Sequence, residues 1–320
     1  MKRIAILAAC LIGVAASRSF AAQEEHGAQA PHAVPTEGHG AEGAIDIMHH
    51  IGNANVIELP YWKPPYSYPL PLPRFQPLHI GPVTLDLSLT KHAVFLMVAA
   101  VLVALVFILS ARSVARAQGA GRPAGGFAGA MEAMVLYIRQ EVILPNVGHH
   151  GEGYVPYLLT VFFFILVMNL LGLLPWGATA TGNITVTAAL ALVALAVIEI
   201  SGMRALGVKG YLGTIFYLPP GLPVWIRPAM IVIMTPVEVI GKLAKPFALA
   251  VRLFANMTAG HVALLAIIGL TFAFRSWAVG VAASALAVGI MMLELFVAFL
   301  QAFVFTLLTS VFIGLMRAEH

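Results

Sequence analysis

Polar and ionisable side chains recur along one apolar stretch, Pro236–His261, at a spacing that could do ion chemistry inside a membrane. Steps of four and three residues place six of them in one stripe along a helix: Glu238, Lys242, Lys245, Leu249, Arg252 and Asn256. An arginine at mid-helix costs roughly +2.5–3.5 kcal/mol on insertion scales, so such groups usually face a cavity or a partner. His261 follows Arg252 by nine residues, about half a turn, so the helix presents polar groups to two different surroundings.

These residues differ in how well a simple anchoring role explains them. Lys242 and Lys245 are equally well explained as long side chains that reach from a helix end to the membrane surface. Arg252 is not, because a whole helix precedes it and a long apolar run follows it. The position of Arg252 therefore predicts a functional residue.

A second apolar stretch carries its own polar face. Glu294 and Gln301 are seven residues apart, on one helix face, with Ala298 between them. Glu294 beside His261 of the preceding helix would form a proton-relay pair, since such chains mark ion pathways. The alternative is a neutral pair that satisfies its own hydrogen bonds in a packed interface. Both explanations stay open, and Glu199, near the end of another apolar run, allows the same two.

Composition places the chain among polytopic membrane proteins. Of its 320 residues, 60% are hydrophobic and 10% are charged, well under the quarter typical of soluble domains. Lys and Arg lie in loops and at helix ends without a basic stripe, which argues against nucleic-acid binding. The single cysteine, Cys10, excludes a disulfide framework and a cysteine-based metal site. A secondary transporter usually shows internal repeats, and an intramembrane metalloenzyme would need a ligand cluster such as H-E-x-x-H; neither is present in the sequence.

The N-terminal part divides into two segments before the membrane domain of residues 89–320. Residues 1–22 are typical of a signal peptide, with Lys2 and Arg3, a short apolar run and a small-residue cleavage site. Residues 23–88 are predicted to form an unstructured extracytoplasmic tail rich in histidine and proline. Its histidines are compatible with metal binding, but their spacing matches no fixed site.

The membrane domain is predicted to be all-α with about five spans. The predicted spans are Leu89–Ala111, Tyr154–Leu174, Ile184–Ser201, Ala229–Phe274 and Trp277–Met316. Phe127–Val142 is predicted to be an interfacial amphipathic helix, and the proline-rich segment 210–228 to be irregular or re-entrant. The excess of Lys and Arg on alternate loops predicts a mature N-terminus outside and a C-terminus in the cytoplasm.

The last two helices are far longer than a span needs. They would reach roughly 70 Å and 60 Å, against a hydrocarbon core of about 30 Å. They must therefore be strongly tilted, or broken at Pro236 and Pro246, and we expect a tilted hairpin that turns at Arg275–Ser276.

Three segments then resemble motifs of one family, subunit a of the F-type ATP synthase. Arg252–His261 (RLFANMTAGH) is similar to its signature, while Met168–Pro175 (MNLLGLLP) and Gln301–Phe305 (QAFVF) resemble two further motifs in the same order. The likeness extends from about Leu89 to the C-terminus. Because the signature surrounds a buried arginine over ten adjacent residues, it is specific.

The resemblance implies a non-catalytic stator subunit with two ion half-channels, in the bacterial inner membrane. Its implied partners are a rotating ring of proteolipid c subunits, peripheral-stalk b subunits, the soluble ATPase head and membrane lipid. Matched by position, Arg252 corresponds to the family's essential arginine and Glu238 to a carboxylate on the cytoplasmic path. The outer half-channel lining corresponds to Asn256, His261, Glu294 and Gln301. His261 and Glu294 are exchanged relative to some bacterial members, and Gly172 replaces a carboxylate that some members carry. No cofactor, metal or catalytic residue is implied, and the His/Glu pair favours protons over sodium.

Overall fold

The structure is a computed structural model that describes residues 56–60, 67–73, 78–80, 83–85, 90–148, 151–174, 180–216, 227–274 and 276–318. The predicted signal peptide, residues 1–22, lies outside these ranges. Part of the predicted tail is described, and there the expectation of no regular structure is wrong. It forms two antiparallel hairpins, β1 (Val56–Pro60) with β2 (Ser67–Pro71) and β3 (Leu78–Ile80) with β4 (Val83–Leu85). Prolines hold the backbone extended, and strands this close in sequence cost little loop-closure entropy.

Helices make up the rest of the described chain. They are α1 (Lys91–Gly119), α2 (Gly126–Tyr137), a π-helix (Ile138–Ile143), α3 (Leu144–Val147), α4 (Val155–Gly172), α5 (Ile184–Ile215), α6 (Arg227–Phe274) and α7 (Trp277–Ala318). Within the described ranges five of these, α1 and α4–α7, are long and apolar enough to cross a membrane. The predicted all-α polytopic fold with five spans is confirmed.

Helix α1 runs further than predicted. The Thr90 hydroxyl caps its start by accepting a hydrogen bond from the Ala93 amide at 3.4 Å. The helix continues past Ala111 to Gly119 because Arg112 and Arg116 are good helix formers, and it ends just before Gly121, whose φ of 65° a glycine adopts without strain.

The interfacial segment predicted at Phe127–Val142 is helical, but it is longer and less regular. It begins as α2, widens into the π-helix and finishes as α3, where Gly148 has a φ of 77°. Ile138, Val142 and Ile143 of the π-helix are buried in the common core, so this segment packs against the bundle with one whole face.

Helix α5 does not end at Ser201 as predicted. It continues to Ile215 after a break at Gly207, whose φ of 71° and ψ of 166° lie in a region open essentially only to glycine. The expectation of an irregular segment from residue 210 is therefore wrong for residues 210–215, while 217–226 lie outside the described ranges. The break lets Val208–Ile215 continue as helix in a new direction.

Helices α6 and α7 form the predicted long hairpin, of 48 and 42 residues, and the chain turns between Phe274 and Trp277. Helix α6 continues through Pro236 and Pro246 without ending. At 1.5 Å per residue the two helices measure about 72 Å and 63 Å. Since neither helix is broken, a strongly tilted hairpin is the arrangement compatible with a bilayer core of about 30 Å.

The core lies around α4, which packs against both α1 and α7. Phe162 of α4 is fully buried and meets Phe299 of α7 edge-to-face, with ring centroids 5.8 Å apart. Phe163 meets Phe107 of α1 in the same way at 4.7 Å. This packing holds α7 in place, and α7 in turn carries α6 and its polar residues.

Candidate functional site

Arg252 lies on an exposed face of α6, well inside the apolar stretch Pro228–Ile267. Its neighbours Leu249 and Leu253 are buried, so the helix is anchored on one side while the guanidinium points away from the chain. Among the residues that the structure describes, none forms an ion pair or hydrogen bond with Arg252. His261 is buried, with 9% of its surface exposed. The predicted division of polar groups between two surroundings is therefore present.

One turn after Arg252, a hydrogen bond ties α6 to α7. The Asn256 amide donates from Nδ2 to Oε1 of Gln301, at 3.1 Å. Gln301 is fully buried, and its Nε2 has no hydrogen-bond partner in the described part of the chain. A buried amide that keeps a spare donor is suited to hold a water molecule or a passing polar group. The predicted pairing of these two helix faces is thus observed.

Glu294 also lies at the contact between the two long helices. Its carboxylate rests on Gly260, the residue before His261, so closely that a Cβ at Gly260 would overlap it. The absence of a side chain at Gly260 therefore makes room for this carboxylate. Asn256 meets Gln301 and Gly260 meets Glu294, so the helices run antiparallel here and the predicted set of four residues collects along one seam.

A further polar link reaches this seam from α4, and the sequence analysis did not single it out. Asn169 donates from Nδ2 to the carbonyl oxygen of Ala298 at 3.2 Å, and the Thr181 hydroxyl donates to Oδ1 of Asn169 at 2.9 Å. Both side chains are fully buried. Ala298 lies between Glu294 and Gln301, so Asn169 fixes α7 at the seam. Its signal was a lone amide in the apolar run 155–172.

The remaining stripe residues have separate surroundings. Glu238 is exposed and forms no ion pair with any described residue. Lys245 places its ammonium 4.9 Å from the ring centre of Phe312. Lys242 turns toward α5, where its Nζ lies 3.9 Å from Oε2 of Glu199. Lys242 is therefore bound by another helix and does not simply reach toward the membrane surface.

Within the described part of the chain, no three His, Cys, Asp or Glu side chains lie together as a metal site would require. The histidines of the predicted tail at positions 26, 32, 39, 49 and 50 lie outside the described ranges.

The fold and these residues define a five-span helical membrane protein with ionisable side chains deep inside its longest helices. Comparison with known proteins is specific: the ATP synthase A chain family matches residues 93–314. ATP synthase subunit a of Chlorobium phaeobacteroides strain BS1 is 43% identical over 335 residues, covering 99% of this chain and 94% of its own length. ATP synthase subunit a of Myxococcus xanthus is 47% identical over 233 residues, covering 72% of this chain and 73% of its own. The chain belongs to the ATP synthase A chain family, and the resemblance drawn from its motifs is confirmed.

Proposed function

We propose that this chain is the stator subunit that couples proton translocation to ATP synthesis, through two half-channels beside a rotating ring of proteolipid c subunits. The observation that carries the proposal is the Arg252 guanidinium, which lies on an exposed face within an apolar span and has no partner among the described residues. A lone cation at that depth is costly, so a second protein must supply its anion.

A carboxylate on each ring subunit meets that need. Arg252 cannot release its own proton, because a guanidinium has a pKa above about 12. As a fixed cation it favours the ionised form of a carboxylate that stops beside it, which then gives up its proton. Away from Arg252 and facing lipid, the same carboxylate is better neutral, since burying an unpaired charge is costly. Rotation then alternates the two states, while the standing charge blocks direct leakage.

The access paths approach Arg252 from opposite sides. On the outer path, His261, Glu294, Gln301 and Asn256 lie along the seam between α6 and α7, which leads to the level of Arg252. On the inner path, Glu238 lies fourteen residues before Arg252, on the same stripe and exposed. These groups exchange protons and offer no sodium cage, which supports protons as the coupling ion.

The exposed apolar surface supports the same assembly. Phe247 and Val251 flank Arg252 on α6, and Phe296 is exposed on α7, as a surface that faces a ring of apolar hairpins requires. Peripheral-stalk b subunits and the soluble ATPase head complete the complex, and lipid covers the rest. The chain itself carries out no covalent chemistry.

The position of the chain in the bacterial inner membrane follows from its charges. The signal peptide of residues 1–22 is removed, and the tail of residues 23–88 lies outside the cytoplasm. Residues 89–320 form the membrane domain, with the C-terminus in the cytoplasm.

Replacement of Arg252 tests the proposal. Arg252→Ala is expected to abolish ATP-driven proton pumping in inverted vesicles while the subunit stays assembled, as judged by immunoblot of the purified complex. Arg252→Lys is expected to be severely impaired, since an ammonium lacks the planar fork that pairs with successive carboxylates. Lys245→Met, on the same stripe, is the matched control and should pump normally. Robust coupled pumping by an assembled Arg252→Ala complex would sink the mechanism.

A further inference from the structure

A compact polar cluster joins α5 to α6 on the inner side of Arg252. The Tyr211 hydroxyl donates to Oε2 of Glu199, although both residues belong to α5. Twelve residues of unbroken helix would separate them by about 18 Å, beyond the reach of these side chains. The contact exists because Gly207 breaks the helix and turns Val208–Ile215 back toward Glu199.

This cluster receives the ammonium of Lys242. Its Nζ lies 3.2 Å from Oγ1 of Thr214, 3.9 Å from Oε2 of Glu199 and 4.6 Å from the ring centre of Tyr211. The Lys242 and Glu199 side chains are only 11% and 19% exposed. The ammonium is therefore held by a hydroxyl, a carboxylate and an aromatic face, which are three kinds of group that bind a cation.

Lys242 has a closer partner in sequence that it does not use. Glu238 stands four residues before it on the same helix, and a Glu four residues N-terminal to a Lys is the favoured orientation for an ion pair on a helix surface. Yet Glu238 forms no ion pair with any residue that the structure describes. The groups of α5 have taken the lysine.

We propose that Glu199 is a positioning residue that holds Lys242 away from Glu238 and so leaves Glu238 without a fixed countercharge. The inference rests on the proposed function, in which Glu238 lines the inner path. A carboxylate that exchanges protons must be able to take one up, and a bound ammonium opposes this by stabilising the ionised form. The charged or titratable groups around Lys242 are Glu199 and Tyr211 from α5, with Glu238 and Lys245 on its own helix.

The test compares Glu199→Gln with Lys242→Gln and the double variant in the assembled complex. Glu199→Gln keeps the size of the side chain and an oxygen for Tyr211, but it removes the charge that holds the lysine. We expect ATP-driven pumping to fall about tenfold, the low end of the bias that a neighbouring opposite charge imposes on protonation. Lys242→Gln should pump normally, and the double variant should recover to that level. Glu152→Gln removes a carboxylate from another ion pair, with Arg139 at 2.8 Å, and is the matched control.

Two results would overturn the inference. Wild-type pumping by Glu199→Gln would mean that the carboxylate does not control Lys242. A double variant as slow as Glu199→Gln would mean that Glu199 acts by itself or only braces the fold.

A readout that does not depend on pumping separates this inference from the proposed function. A water-soluble carbodiimide joins an amine directly to a nearby carboxylate, and peptide mass spectrometry identifies the pair. Lys242 should be coupled to Glu199 in the wild type and to Glu238 in Glu199→Gln; coupling to Glu238 in the wild type would contradict the inference. Glu238→Gln tests the inner path separately, because its normal pumping would overturn that part of the proposed function whatever the coupling pattern.

Discussion

Substitution of Gly260 by alanine tests whether the seam between the long helices is an ion path. A Cβ at this position would overlap the Glu294 carboxylate and lie 3.0 Å from its Cγ. Non-bonded carbon atoms settle near 3.5–4.0 Å, so the Glu294 side chain must retreat by about 1 Å. Because that chain is flexible, the helices can stay in place while the carboxylate moves.

The expected effect is on proton flow and not on assembly. Alanine is favoured over glycine in a helix by about 0.8–1.0 kcal/mol, which offsets the cost of the displaced side chain. A displacement of about 1 Å of a group that must transfer a proton costs on the order of 10²-fold in rate when alignment matters. Gly260→Ala should therefore reduce pumping by between about tenfold and a hundredfold at unchanged subunit content.

The assay is ATP-driven pumping in inverted vesicles, normalised to the amount of this subunit on an immunoblot. Gly269→Ala is the control, because it lies on the same helix and a Cβ there meets nothing within 4 Å. Shortening the displaced group by one methylene, with Glu294→Asp in the Gly260→Ala background, should restore part of the flow. Equal pumping by the Gly260→Ala and Gly269→Ala complexes would refute the reasoning.

Three further predictions concern the same helices. If His261 and Glu294 act as one relay, each single replacement slows pumping and the exchange His261→Glu with Glu294→His recovers part of it; an exchange no better than the worse single variant contradicts the pairing. Asn169→Leu removes two buried hydrogen bonds, at about 0.6 kcal/mol each in membranes and up to about 1.7. It should lower the temperature at which the detergent-solubilised complex loses this subunit, and an unchanged temperature would show that the link to α7 contributes nothing. Gly314→Ala would press a methyl group on the Asn146 carbonyl oxygen, a backbone atom that cannot rotate away, so immunoblots should show little subunit; Gly289→Ala, in open space, is the control, and equal amounts of both would exclude the clash.

Features that depend on long apolar runs were predictable from the sequence. The five spans, the two overlong helices and the turn between Phe274 and Trp277 follow from hydrophobic length and from a charge at the turn. The stripe through Arg252 was also predictable, because helical spacing alone determines which residues share a face. The opposite burial of Arg252 and His261 follows from the same geometry.

Features that depend on tertiary contacts were not. Helix α5 was predicted to stop near Ser201 because Arg204, Lys209 and several glycines resemble a helix end, whereas only Gly207 departs from helical geometry. The pairing of Tyr211 with Glu199 needs that departure and has no periodic signal. Asn169 was part of a quoted motif, but its acceptor, the Ala298 carbonyl, lies 129 residues away. The hairpins β1–β2 and β3–β4 were missed because their composition resembles that of disordered segments.

The two prolines of α6 have a mechanical consequence. Proline has no amide hydrogen, so the helix loses the bonds that would end at the carbonyl groups of Val232 and Lys242. Both gaps precede Arg252, and no proline follows it in the helix. The part of α6 before Arg252 is therefore the softer part. A sideways push at Arg252, such as a turning rotor would apply, bends the helix on that side, while the seam beyond Arg252 stays stiff and keeps its alignment under torque.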